Sequence, residues 1–169
     1  MYRRFAFEGA VHETLETVPL AVRRKLDLAG LRVSVFGWRA LPREDRLSLC
    51  HLPAETAEDV AIYREVLTRF AARAGIPIDP VPGAPSNRRA WGPLEVLSRL
   101  HAQLGPEEAR ALDGRRLAML SDEERYALYK LADPTRDPAR LRIALLELGF
   151  GEGAPPTVRC SRPIPTPRG

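Results

Sequence analysis

Cysteine, methionine and histidine are all scarce in this chain of 169 residues, with two, two and three of each. Cys50 falls in a helical pattern and Cys160 in a Pro-rich stretch far away, so no structural disulfide is expected and a reducing compartment suits the chain. His12, His51 and His101 are isolated, and none stands three residues after a glutamate as a di-iron bundle requires, so the reading calls for no metal and no cofactor. No apolar run approaches the roughly 18 residues of a membrane span. The start, Met1-Tyr2-Arg3-Arg4-Phe5, lacks the apolar core of a secretory signal, and a cytoplasmic protein is expected. Phosphate-loop, dinucleotide, nucleophile-elbow and zinc-protease motifs are all missing. Cys50 and His51 are adjacent, but neighbours on a helix point about 100° apart and share a hydrogen bond poorly, so a half-buried thiol beside a surface imidazole is expected there. No catalytic constellation remains, and the chain reads as a non-enzyme.

What is abundant is arginine, which supplies 24 of the 26 basic residues against 22 acidic ones, for a net charge of +4. The basic residues are dispersed among acids, with short clusters at Arg23-Arg24-Lys25 and Arg88-Arg89. A nucleic-acid footprint demands a denser stripe with aromatics to stack on.

Apolar spacing predicts an all-α protein. A first helix follows Pro19, placed in its first turn, carries Val22, Leu26 and Ala29, and stops at Gly30. A short helix follows Ser34, from Val35 to Leu41, and another runs from Arg43 to Leu52, halted by Pro53. Thr56 caps the longest helix, striped by Val60, Tyr63, Leu67, Phe70 and Ala74. Residues 75–92 read as one long surface loop, and Phe5-Ala6-Phe7 as an extended arm. Helices then begin at Pro93, at Pro106, at Ser121 with its Glu124 capping box, and at Asp137-Pro138, the last stopping at Gly149 with Phe150 in the cap contact. The expected organisation is one compact helical domain over 1–150 and a flexible, basic, Pro-rich tail over 151–169.

The chain repeats itself. Leu41, Glu44, Arg46, Leu49 and Leu52 match Leu120, Glu123, Arg125, Leu128 and Leu131 at a constant offset of 79, which pairs Trp38 with Leu117. Two related helix-turn-helix units, near 34–52 and 113–131, are predicted, with their leucines in the core. As DNA readers they are poorly charged, because Glu44-Asp45 and Asp122-Glu123-Glu124 put acids where a recognition helix meets phosphates. A nucleic-acid-binding regulator therefore stands as the alternative function.

The order and spacing of several segments carry more: Phe5-x-Phe7-Glu8; Val18-Pro19-x-x-Val22-Arg23-x-Lys25-Leu26-Asp27-x-x-Gly30; Trp38-x-x-Leu41 with Glu44-x-Arg46; Leu52-Pro53; Glu124-Arg125-Tyr126-Ala127-Leu128-x-Lys130-Leu131; and Leu145-x-x-Leu148-Gly149-Phe150. From Phe5 to Phe150 the chain resembles the conserved nitrate-reductase-associated protein family. It departs in its Arg-rich middle loop, in the extension after Phe150, and in Leu117, where members often carry Trp. The resemblance implies a small cytoplasmic protein that helps the molybdenum enzyme assimilatory nitrate reductase reach or keep its active form, without catalytic residues of its own. Arginine and tryptophan are enriched at interface hot spots, so the partner-binding candidates are Arg23, Arg24, Lys25, Arg88, Arg89 and Trp91.

Overall fold

The computed structural model describes residues 2–81, 88–110 and 112–150. The tail expected after Phe150, Cys160 and the middle of the 75–92 loop lie outside the described residues. The architecture is all-α. A 3-10 turn (Ala6–Glu8) and α1 (Val11–Thr14) precede α2 (Leu20–Ala29), α3 (Val35–Ala40), α4 (Arg43–His51) and α5 (Ala57–Ala74). A second 3-10 turn (Arg88–Trp91) leads into α6 (Pro93–Gln103), α7 (Pro106–Arg110), α8 (Gly114–Met119), α9 (Asp122–Leu131) and α10 (Pro138–Glu147).

The caps fall where the sequence puts them. Ser34 accepts from the Gly37 amide, and Thr56–Asp59 and Ser121–Glu124 each close a reciprocal capping box. Gly149 takes φ +80°, and the Phe150 amide donates to Leu145 O at 2.7 Å, closing the last helix in a Schellman turn.

Three expectations need correction. Pro19 is the N-cap of α2, one residue outside the helix; the first free amide, Leu20 N–H, is taken by the Glu8 carboxylate at 2.8 Å. The Phe5-Ala6-Phe7 segment is extended at Phe5 alone, because Glu147 of α10 accepts from the Ala6 and Phe7 amides at 2.9 and 3.0 Å and coils the segment into its 3-10 turn. The 75–92 stretch holds structure of its own: Asp79–Pro80 (β2) pairs antiparallel with Leu31–Arg32 (β1), and Arg88–Trp91 is helical.

The repeat is visible in the backbone. Leu41 (φ −66°, ψ 138°) and Leu120 (φ −64°, ψ 149°) make the same turn between α3–α4 and α8–α9. Each unit anchors its own apolar cluster, one built around Leu15, Trp38, Leu49, Tyr63 and Leu67, the other around Phe5, Trp91, Leu100, Leu117 and Leu128. Fully burying one such large side chain contributes about 1.5–3 kcal/mol. Helix α2 spans the two clusters, with Val22 and Leu26 in the first and Leu28 in the second, and it packs against both α5 and α9. At that seam between the halves Arg24 meets Asp122 and Glu55.

Candidate functional site

Consecutive residues on a helix diverge by about 100°, so Arg23-Arg24-Lys25 cannot form one patch. Arg24 turns into the seam and is 1% exposed. Its Nη1 donates to Asp122 Oδ2 at 2.8 Å and its Nη2 to Glu55 Oε1 at 2.6 Å. Asp122 opens α9, where a carboxylate also suits the helix dipole. Trp91 is fully buried, and its indole N–H donates to the other Asp122 oxygen at 2.9 Å. Arg88 reaches the same cluster, donating to Glu55 Oε2 at 2.8 Å and to the Ala54 and Glu55 carbonyls. Burial pushes the Glu55 carboxyl up, but the guanidinium groups of Arg24 and Arg88 outweigh it and hold the carboxyl below its usual range.

Lys25 takes the next direction and is 3% exposed. Its Nζ donates to Cys50 O at 2.6 Å and Leu52 O at 2.5 Å, with Leu49 O at 3.4 Å, closing the carbonyl end of α4 with a positive charge. Burial pulls its pKa down to about 8. The neighbouring Cys50 thiol is fully buried rather than half-buried, and burial pushes it up to about 11. A thiol held that far from its thiolate is a poor nucleophile.

Three partner-binding candidates, Arg24, Lys25 and Trp91, are thus corrected: Arg24 crosses the seam, Lys25 closes α4 and Trp91 packs in the second cluster, and all three are buried and present no surface to a partner. Arg24, Arg88 and Trp91 do converge, but on Asp122 and Glu55, acids whose role no periodicity reveals. Arg89 stays exposed on the second 3-10 turn, and three residues after Trp91 the side chain of Leu94 is 82% exposed.

Arg23 points the third way, into a cavity of about 940 Å³ that lies over α2 between the N-terminal turn, the β1–α3 segment and the α9–α10 turn. Its Nε donates to Val18 O at 3.1 Å. Burial, then the like charge of Arg136, pulls its pKa below the usual guanidinium value. Sequence reading missed this site, because its walls come from segments more than 100 residues apart. Among the described residues no cluster of His, Cys, Asp and Glu could hold a metal ion, and no helix is long and apolar enough to cross a membrane.

Fold and site together define a class: an all-α protein of two helix-turn-helix halves, locked by a buried Arg–Asp–Trp cluster, with a cationic cavity at the join. Residues 4–148 match the model of a family described as conserved nitrate reductase-associated protein, and the chain belongs to that family. No curated protein and no solved structure matches it.

Proposed function

We propose that this protein is a non-catalytic accessory that binds assimilatory nitrate reductase and supports its maturation, stability or activity. Membership of the nitrate reductase-associated family over nearly all of the described chain carries this reading. It is supported by the way the reactive side chains are used: the Cys50 thiol is buried and Lys25 is tied to carbonyls. A nucleic-acid role gains nothing, since Glu44 stays exposed in the first turn of α4 and Glu123 half-buried in that of α9, still placing acid where phosphates would lie.

The contact surface we propose is centred on Arg89 and Leu94, with Arg88 at its inner edge. Co-expression of the tagged protein with nitrate reductase at matched enzyme abundance tests the reading by co-purification and specific activity. The expected result is association with raised specific activity, weakened by Leu94→Asp while thermal stability holds. Neither association nor any change in activity overturns it.

A further inference from the structure

Every acid that lines the seam cavity is already committed. Asp27 is held by Lys130 Nζ at 2.8 Å and accepts from the Tyr126 hydroxyl at 2.8 Å. Asp137 caps α10 through the Ala139 amide at 2.9 Å. Glu8 is buried, with one oxygen on the Leu20 amide and the other 3.0 Å from His12 Nε2. The arginines on the same walls are the opposite: Arg23, Arg32, Arg136 and Arg140 have no ion pair among the described residues. They come from three separate segments, α2, β1 and the α9–α10 turn running into α10.

Guanidinium groups facing one volume repel each other until an oxyanion sits between them, and their planar N–H forks fit phosphate and carboxylate edges two bonds at a time. The volume is that of a small-molecule site and far exceeds what one inorganic ion fills. Phe7, Leu20, Leu26 and Tyr126 supply apolar wall for an organic body.

We propose that this cavity binds a small organic phosphate, its phosphate group clasped by Arg23, Arg136 and Arg140 and its organic part resting on the apolar wall. The phosphate group is chosen over a single carboxylate because a dianion matches several unpaired guanidinium groups where a monoanion leaves most of the repulsion in place. This ligand site is independent of any protein partner, and its failure leaves the accessory role untouched.

Isothermal titration of the full chain with phenyl phosphate, inorganic phosphate and phenol at constant ionic strength tests it. Phenyl phosphate is expected to bind saturably with Kd below about 1 mM, more tightly than inorganic phosphate, and phenol not at all. Arg136 and Arg140 are exposed, so the double variant Arg136→Ser, Arg140→Ser retains the fold and should lose at least tenfold in affinity. Arg23→Gln, on α2, removes the third clasping guanidinium and gives a second reading of the same loss, and Arg110→Ser, outside the cavity, leaves binding unchanged. No saturable binding of phenyl phosphate overturns the proposal, and so does binding that survives both cavity variants.

Discussion

Glu8 shows how one residue's chemistry is set by distant parts of the chain. Burial raises its carboxyl to about 7, against the Leu20 amide, Arg23 and Arg140, which all favour the charge; Glu147 adds to the rise. His12 moves the other way: burial and Arg4 lower its pKa against Glu147, and the Phe5 amide, donating to Nε2, fits the neutral ring. The folded state therefore holds a proton on Glu8 that the unfolded chain has released, and stability from this group falls as pH rises from about 4.5 to about 7. His12 gives the opposite slope below its ordinary value of 6.5. His12 touches Glu8, so Glu8→Gln is compared with the parent in a His12→Gln background, which removes the histidine's own titration. The variant should gain relative stability on the order of 2 kcal/mol between pH 5 and pH 8, read from thermal midpoints at each pH. A gap that stays constant with pH would show that Glu8 is ionised throughout.

At the scale of elements, the seam cluster makes a sharper demand. Removing Arg24 leaves Asp122, 16% exposed, and the solvent-facing Glu55 without their partner across the seam; breaking a fully buried pair from one side costs about 3–5 kcal/mol, and solvent at the two acids keeps this case to the low end. Part of that is regained through Arg88, whose Nε lies 3.8 Å from Asp122, so Arg24→Ala should cost about 3 kcal/mol by urea unfolding. Arg24→Lys should recover less than half of the loss, since one ammonium cannot span two carboxylates that the guanidinium reaches with separate nitrogens. Losses below about 1 kcal/mol for Arg24→Ala would mean that water replaces the guanidinium at no cost. The elements themselves were legible in the sequence because caps and stripes are local: Ser34, Thr56, Ser121 and Gly149 mark ends within one turn of chain, and the offset of 79 betrayed the duplicated units. The site was not. Arg24 and Asp122 are 98 residues apart, and a run such as Arg23-Arg24-Lys25 looks the same whether its members face solvent, a carboxylate or three carbonyls. The N-cap position of Pro19 and the coiling of Ala6–Glu8 escape the sequence for a related reason, both depending on carboxylates supplied from elsewhere, Glu8 and Glu147.

For the whole molecule the open question is whether two clusters make one folding unit. The duplication argues for two, each with its own helix-turn-helix and its own leucines. The connections argue for one: α2 contributes to both clusters, Phe5 at the N-terminus packs in the cluster of the second half, and Glu147 near the end of α10 holds the amides of Ala6 and Phe7. Arg24 adds a buried charge pairing across the seam that neither half could leave unmatched. We therefore expect a single cooperative transition over residues 1–150. The molecule carries its own probes, because its two tryptophans are buried in different clusters, Trp38 donating to Leu15 O at 2.7 Å and Trp91 to Asp122. In urea, Trp91→Phe leaves fluorescence to report the first cluster and Trp38→Phe the second, while helical circular dichroism reports both. Each substitution lowers overall stability by about 1–2 kcal/mol through its lost indole hydrogen bond. Within each variant the fluorescence and dichroism midpoints should nevertheless coincide. Midpoints that separate within one variant would mean that the halves unfold independently, and that the seam joins two domains rather than running through one.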